Sequence, residues 1–327
     1  ILTMVIFSST PDYQNGFLRE PRYLILAITG SVTILFSILL CAFGTLNQLP
    51  YLHKVKSMEK FTFSNFFGEL GQLLKNISYV SACTSLLTMY AGLGILSVVA
   101  MYAYIYVYEL STEAITWASA VKMPGILAAL PLLALLSKYL DKKTILILAT
   151  LITCIMISLP HNLKMLGLFP ANDSPFILFA LFVPLLLGYM IFPVSAIIID
   201  SQLVDIADQH ELSSGQRSEG VIFSVRSFAI KATTGVGGFL GGFGLEFINF
   251  PQSAEVGTLA QDTLSGLLFL NGPLYLIIYL IAVGFMSLYQ LDRSTHSQIL
   301  RQLESKRRMA KNAHDEAPLH VGGPAHR

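Results

Sequence analysis

Three basic residues lie inside long apolar stretches of the chain: Lys122, Arg226 and Lys231. A charge at the centre of a lipid bilayer costs about 2.5–3.5 kcal/mol on insertion scales, so each residue indicates a function. If the segment around Lys231 begins near Gly220 at one membrane face, a rise of about 1.5 Å per residue places Lys231 near the bilayer midplane. Lys122, just before Pro124, lies closer to the opposite surface.

Lys231 belongs to a stripe of small or polar residues spaced three or four apart: Ser224, Ser227, Lys231, Thr234 or Gly235, Gly238 and Gly242. Such a stripe allows a neighbouring helix to approach closely, and it equally suits the wall of a watery cavity. The alternative is a lysine that snorkels or contacts a carbonyl, which remains open for Lys122 because snorkelling works best near helix ends. We predict a substrate or cation cavity lined by Lys231, Ser227, Thr234 and Lys122.

Acidic residues recur at a spacing of three in the segment 200–219, namely Asp205, Asp208 and Glu211. On a continuous helix this spacing produces an acidic ridge, and Gly215 suits the end of that helix. A ridge facing one arginine can form an ion-pair lock that breaks and re-forms, whereas the alternative is a solvated charged loop. We predict a cytoplasmic gate formed by Asp205, Asp208, Glu211, Arg217, Glu219 and Arg226, with Asp200 as a candidate partner of Arg226.

The composition decides the class of protein that must position these groups. Of 327 residues, 54% are hydrophobic and only 13% charged, against about 25% charged in soluble domains. The 21 lysines and arginines nearly balance the 20 acidic residues, which excludes a nucleic-acid-binding surface. Several apolar runs exceed the length that a soluble core helix needs, so the sequence predicts an all-α membrane protein.

Seven apolar segments are long enough to cross a hydrocarbon core of about 30 Å. They lie near 23–46, 77–107, 114–137, 144–160, 176–199, 220–246 and 265–289. The spacing of apolar residues within 47–76 predicts a short helix, either on the membrane surface or packed under the bundle. Residues 294–312 predict an interfacial helix in the tail. The expected organisation is a truncated helix and external loop (1–22), one spanning helix (23–46), a central cytoplasmic loop (47–76), a six-helix bundle (77–290) and a cytoplasmic tail (291–327).

The distribution of basic residues predicts the orientation. One set of connections, which includes the tail, carries fifteen of the 21 lysines and arginines, and the other set carries three. Because cytoplasmic loops are enriched in Lys and Arg, the C-terminus is expected in the cytoplasm. The sequence begins with Ile1 inside an apolar stretch without a charged region before it, so we expect a fragment whose N-terminal part is missing.

The acidic residues do not supply obvious partners for the lysines within the membrane. Asp200 and Glu246 come closest, each at the end of a predicted span. A buried lysine without a carboxylate needs an external partner, which we expect on the missing N-terminal part. All three cysteines lie in apolar runs and all seven histidines in predicted connections or the tail, so no metal site, cofactor or catalytic dyad is predicted, and the protein is not expected to be an enzyme.

The run from Val204 to Lys231, VDIADQHELSSGQRSEGVIFSVRSFAIK, resembles the loop and following helix of the glycoside–pentoside–hexuronide:cation symporters. These form the melibiose-permease branch of the major facilitator superfamily. The matching positions are Asp205, Asp208, Glu211, Gly215, Arg217, Glu219, Gly220 and Lys231, while His210 stands where many members have an aromatic residue. Weaker matches are Asn76, the triplet Asp141-Lys142-Lys143, Thr10-Pro11 and Asn15-Gly16.

This resemblance implies that the seven spans are helices 6–12 of a twelve-helix major facilitator fold, with 23–46 belonging to the N-terminal bundle. It implies cation-coupled symport of a sugar or glycoside across the bacterial inner (plasma) membrane by alternating access. The coupling cation, Na⁺ or H⁺, would be held mainly by acidic residues of the N-terminal bundle of the same parent chain. Lys231 would face that cation site, Ser227 would line the cavity, and Asp205, Asp208, Glu211 and Arg217 would close the inner gate.

Two alternatives stay open within transport: a related carrier for a non-sugar solute, such as a lysolipid or an organic anion, and a uniporter. A seven-helix receptor or retinal protein is a remote alternative. That class expects a Schiff-base lysine in the last span and a carboxylate within a span, whereas Lys231 lies in the sixth predicted span.

Overall fold

The computed structural model describes residues 6–7, 17, 20–46, 62–215 and 218–315. Of residues 65, 234, 307 and 310–315 it describes the backbone alone. All regular secondary structure within these ranges is helical, and these ranges contain no strands. The helices are α1 (Pro21–Thr45), α2 (Phe63–Leu73), α3 (Ile77–Tyr102), α4 (Thr112–Ala120), α5 (Lys122–Tyr139), α6 (Lys142–Met165), α7 (Ile177–Ser214), α8 (Glu219–Phe247), α9 (Gln261–Asn271), α10 (Pro273–Ser287) and α11 (Arg293–Asp315).

Six segments of the described chain are long and apolar enough to cross a membrane. They are Pro21–Thr45, Ile77–Val107, Thr112–Tyr139, Lys142–Met165, Ile177–Ser214 and Gln261–Ser287. The remaining predicted span, 220–246, coincides with α8, which has 29 residues but is less apolar because it contains Arg226, Lys231 and a series of glycines. The all-α membrane fold is thus confirmed, while the count of seven spans stays a prediction.

One predicted boundary was wrong, and the helix there is longer than expected. Helix α6 continues through Pro160 to Met165, so His161 lies in a buried helical turn and not in a connection. Helix α7 contains 38 residues, continues through the acidic ridge and ends, as predicted, where Gly215 adopts a left-handed φ of 75°. Asp200 therefore lies within α7 and not at its end. Helices in a membrane environment tolerate internal prolines, since neighbouring groups satisfy the backbone that proline frees.

The bundle is built around α3, α6, α7 and α10, which supply most of the main hydrophobic core. Tyr79, Leu146, Ile206 and Tyr279 are fully buried within it. Helix α7 packs against α5 and α6, and α8 packs against α3. Helix α1 has no buried residue, so its entire apolar surface is available to lipid or to another set of helices.

The short helix α2 packs under the bundle through one edge. Leu73 is buried and Leu70 contacts the main core, whereas Phe63 and Phe67 remain exposed. The helix predicted within 47–76 is therefore present at 63–73, and it combines packing with an exposed aromatic surface. Residues 47–61 of that predicted loop lie outside the described residues.

Candidate functional site

Lys231 lies on a face of α8 that no other described helix covers. Lys231, Ser227 and Gly235 are exposed, and Lys231 has no hydrogen bond or ion pair with any described residue. A Cβ atom placed on Gly235, Gly238 or Gly242 would meet nothing within 4 Å. The predicted stripe thus forms an open surface with an ammonium group near its centre, and we call it the open face of α8.

The neighbouring stripe of α8 makes the helix contact. A Cβ atom on Gly94 of α3 would lie 2.7 Å from the Cα of Gly237, and one on Gly241 would lie 2.7 Å from the Cβ of Val98. Only glycine permits such an approach, because any Cβ would overlap the facing backbone or side chain. This second stripe was not predicted, although Gly237 and Gly241 stand four residues apart in the sequence.

Two predicted site residues, Arg217 and Thr234, lie wholly or partly outside the part of the chain that the structure describes. Arg217 lies outside the described residues, so its pairing with the acidic ridge stays a prediction. The backbone of Thr234 belongs to α8, but its side chain lies outside the described part of the chain.

The acidic ridge lies on α7, as its spacing predicted, and faces two cationic or titratable groups from other helices. The Lys142 ammonium donates to both carboxylate oxygens of Asp205, at 2.8 and 2.7 Å. His296 of α11 places Nε2 3.1 Å from Asp208 Oδ2 and 3.4 Å from Asp205 Oδ1. The Asp205 side chain is only 5% exposed. Lys142 is its principal charge partner because the ammonium is closer than His296.

Lys142 and His296 were not predicted as gate residues. Lys142 was noted only as part of the Asp141-Lys142-Lys143 triplet, which begins α6. Its side chain and Asp205 form one wall of a cavity of about 660 Å³ between the turn before α6, helix α7 and residues 289–296. Glu211 and Glu219 are half-buried on either side of the turn from α7 to α8.

Further hydrogen bonds beside this cavity connect α6 to the end of α10 and α11 to α7. The Lys143 ammonium donates to the carbonyl oxygens of Ser287 and Tyr289, at 2.5 and 2.9 Å. Burial, together with the nearby charge of Asp205, raises the pKa of Tyr289, which therefore stays neutral. Lys306 of α11 donates to the carbonyl oxygen of Leu212 at 3.0 Å, so the predicted tail helix is held against α7.

Arg226 forms an ion pair with Asp200, which confirms the predicted candidate partner. The guanidinium donates twice to the carboxylate, with Nη2 2.7 Å from Oδ2. The two side chains are 32% and 35% exposed, and Tyr90 and Phe192 line the same small cavity. This pair joins α8 to α7, separately from the Asp205 cluster.

Asn76 links the start of α3 to α7. Its side-chain oxygen accepts hydrogen bonds from the backbone of Ser78 and Tyr79, which caps the helix. Its amide nitrogen donates to Gln209 Oε1 at 2.6 Å. Asn76 therefore both caps the first turn of α3 and ties this turn to α7 beside the acidic ridge.

Lys122 projects into the interior of the bundle. Its ammonium lies 4.7 Å from the centre of the Tyr189 ring, within the range of a cation–π interaction. Both residues line an open cavity of about 330 Å³ between α3, α4, α5, α6 and α7. The predicted cavity residues therefore occupy two places, because Lys122 lies inside the bundle and Lys231 lies on the open face of α8.

The described residues contain no cluster of three or more His, Cys, Asp or Glu side chains that could hold a metal ion. Cys83 and Cys154 are buried and Cys41 is exposed, and all three are free thiols.

Apolar spanning helices that carry charged pairs and an uncovered polar face define a multi-pass integral membrane protein. The sequence profile of the MFS/sugar transport protein family matches residues 1–293, and the chain belongs to this family.

Two curated relatives are similar to part of the chain. One is the "Uncharacterized symporter YjmB" of Bacillus subtilis (strain 168), 33% identical over 102 residues, which cover 31% of this chain and 22% of that protein. The other is the "Putative glycoside/cation symporter YagG" of Escherichia coli (strain K12), 31% identical over 99 residues, which cover 30% of this chain and 21% of that protein. The matched region thus spans about a fifth of either relative.

Proposed function

We propose that the protein, when expressed from its complete gene, is a cation-coupled sugar symporter of the cytoplasmic membrane. The printed names of both relatives contain the word symporter, and one adds glycoside and cation. The observation that carries the proposal is Lys231, an ammonium on the open face of α8 without a partner among the described residues.

The open face of α8 suits a water-filled pathway between two helical bundles. Lipid would solvate Lys231 poorly, even though Phe228 and Phe239 beside it expose apolar side chains. The flanking Gly235, Gly238 and Gly242 leave the helix backbone uncovered. Substrate and ion sites of secondary transporters lie near the membrane midplane, at the interface of two repeats. We therefore assign the uncovered face to a companion N-terminal bundle that carries the acidic cation ligands.

In this arrangement Lys231 contributes to coupling by charge competition. Its ammonium and the coupling cation are attracted by the same carboxylates across the pathway, so binding of one weakens binding of the other. The bundles rock around the site, and the Lys142–Asp205 pair together with His296 holds the cytoplasmic side closed. The C-terminus lies in the cytoplasm, in keeping with the excess of basic residues in those connections.

Uptake of radiolabelled sugars with and without an imposed Na⁺ or H⁺ gradient tests the proposal. Lys231→Ala should abolish gradient-driven uptake, since the coupling group is lost. Lys138→Ala removes an exposed lysine from the last turn of α5 and should leave uptake unchanged. Unchanged gradient-driven uptake by Lys231→Ala would refute the role of this lysine.

The same assay separates the alternatives. If the unaltered protein takes up sugar saturably and at the same rate with and without the Na⁺ or H⁺ gradient, it is a uniporter. Absence of sugar uptake, together with transport of a lysolipid or an organic anion, would identify a carrier for a non-sugar solute. Either result would overturn the proposal of cation-coupled sugar symport.

A further inference from the structure

His296 of α11 lies between two carboxylates of the acidic ridge. Its Nε2 is 3.1 Å from Asp208 Oδ2 and 3.4 Å from Asp205 Oδ1. The side chains of His296, Asp208 and Asp205 are 20%, 12% and 5% exposed, so solvent ions screen these contacts less than those of a surface pair. Histidine is the side chain whose charge ordinarily changes between pH 5 and 8. The position therefore joins a titratable group to two carboxylates.

The charged groups around His296 leave Asp208 with a single ion-pair partner. Asp205 is held by Lys142, whose ammonium lies 2.7 Å from Oδ2. Within the described part of the chain, Asp208 forms an ion pair with His296 alone. The other charged or titratable groups that line the cavity beside His296 are Asp141 and Lys143 at the start of α6, and Tyr289, Asp292 and Arg293.

Those other groups are engaged elsewhere or exposed. The Lys143 ammonium donates to two backbone carbonyl oxygens, and the Asp292 carboxylate caps α11. Tyr289 stays neutral, since burial and the charge of Asp205 raise the pKa of its hydroxyl. The remaining two side chains are exposed to solvent. The proton on His296 therefore decides the charge balance at the ridge, because two carboxylates face one cation without it and two cations with it.

Helix α11 is held in place by contacts that do not involve His296. Ile299 and Leu303 are buried in the main hydrophobic core. Lys306 donates to the carbonyl oxygen of Leu212 at 3.0 Å. Protonation of His296 therefore changes the charge of the cluster and not the position of the helix.

We propose that His296 is a proton sensor on the cytoplasmic side of the protein. In acid its imidazolium pairs with Asp208 and Asp205 and ties α11 to α7, beside the Lys142–Asp205 pair. The assembled cluster binds this proton more tightly than the separated groups do, so the stabilisation is present at low pH and is lost as the pH rises.

The consequence for transport rests on the proposed function, in which this cluster holds the cytoplasmic side closed. Acidification of the cytoplasm then strengthens the closed cluster and slows its opening, whereas a rise in cytoplasmic pH releases it. His296 acts here as a positioning residue, since it acts through the two carboxylates and not on the substrate.

Thermal unfolding of the purified complete protein tests the sensor without any substrate. His296→Gln keeps a hydrogen-bond donor but cannot titrate, and the other histidines are common to both proteins. We expect the unaltered protein to exceed His296→Gln in Tm by about 2 °C more at about pH 6 than at about pH 8. His296→Lys carries a permanent charge and should keep the acid value at both pH values. Gln298→Ala, at an exposed position of α11, is the control and should differ from the unaltered protein equally at both.

Sugar exchange in proteoliposomes tests the effect on opening. The pH is equal on both sides, so no proton gradient acts, and the probes are radiolabelled methyl glycosides of glucose, galactose and xylose. Relative to His296→Gln, the unaltered protein should exchange sugar about threefold more slowly at the lower pH than at the higher one.

Each result bears on a different part of the inference. A Tm difference between the unaltered protein and His296→Gln that is the same at both pH values would overturn the sensor. A pH-dependent Tm difference with equal exchange rates would overturn its link to opening. Absence of exchange of every glycoside by the unaltered protein would overturn the proposed function and the effect on opening with it, while the Tm comparison still decides whether His296 senses protons.

Discussion

Gly94 of α3 and Gly237 of α8 bring two helix backbones into direct contact. A Cβ atom on Gly94 would lie 2.7 Å from the Cα of Gly237 and 2.8 Å from the carbonyl oxygen of Thr233. The contact fixes the rotation of α8 about its own axis. It therefore determines that Lys231, on a different side of the helix, lies on an uncovered face.

Gly94→Ala should destabilise the bundle, because the added methyl group overlaps backbone atoms that cannot move independently. Overpacking of this kind costs about 1–3 kcal/mol, which should appear as a lower Tm of the purified protein in detergent. Gly284→Ala is the matched control, since a Cβ there meets nothing within 4 Å, and it should leave Tm nearly unchanged. Equal Tm values for the two variants would contradict the close contact.

Asp205→Asn should weaken the cluster of Asp205, Lys142 and His296. The substitution removes the charge that Lys142 and His296 share, and we expect a loss of about 1–2 kcal/mol in stability. The loss is smaller than for a fully buried pair because the Lys142 side chain is 38% exposed. Asp141→Asn, one residue before Lys142 and exposed, is the control. Chemical unfolding of both variants measures the difference, and equal stability would show that the pair contributes nothing.

The Asp200–Arg226 pair should behave as a coupled unit. A double-mutant cycle with Asp200→Ala and Arg226→Ala should give a coupling free energy of about 1 kcal/mol in unfolding measurements. Both side chains are about one-third exposed, which limits the value. Strictly additive effects of the two substitutions would indicate that the hydrogen-bonded contact between α7 and α8 is energetically neutral.

Asp292 caps α11, and its removal should loosen the tail helix. Its carboxylate accepts a hydrogen bond from the Thr295 backbone at 2.7 Å, as an N-cap residue does, and from the Ser294 hydroxyl. Asp292→Ala should accelerate amide hydrogen exchange in the first turns of α11, which carry His296. Asp292→Asn can still accept these bonds and should retain most of the protection.

The same cap predicts a direction of pH dependence. Hydrogen bonds from Thr295 and Ser294 favour the charged form and lower the pKa of Asp292 below its ordinary value of 3.8. A lowered pKa means that the cap contributes fully above the unfolded-state pKa and is lost as the pH falls through the folded-state value. Protection of α11 should therefore be constant near neutral pH and decline in strong acid, and Asp292→Ala should lack that decline.

The fold was largely predictable because membrane-spanning helices can be recognised in a sequence by their length and hydrophobicity. The segment predicted at 77–107 matches the span Ile77–Val107, and 23–46 nearly matches Pro21–Thr45. The misplaced end was at Pro160, which was taken as a helix boundary. In a membrane bundle neighbouring groups can replace the hydrogen bond that proline removes, so α6 continues to Met165.

The site residues were predictable only where their spacing within one continuous segment of sequence placed them on the same helix face. Helical spacing placed Asp205 and Asp208 on one ridge, but it could not reveal that Lys142, 63 residues away from Asp205, supplies the charge partner. The small-residue series of α8 suited either close helix packing or a cavity wall, and periodicity alone does not decide which of two adjacent stripes faces α3. Tertiary packing made that choice through Gly237 and Gly241, and it left Gly235 open.

Labelling of a single cysteine at position 235 tests the central claim most directly. Gly235 lies one helical turn from Lys231 on the open face of α8, so Gly235→Cys probes that face while Lys231 is kept. The background has Cys41, Cys83 and Cys154 replaced by serine or alanine, and the reagent is a membrane-impermeant methanethiosulfonate applied to cells expressing the complete gene. The control is Ile281→Cys on the exposed apolar face of α10. A water-filled pathway predicts rapid labelling at 235, slowed by transported sugar, and none at 281. Equal resistance of both positions to the reagent would place Lys231 against lipid and contradict the account.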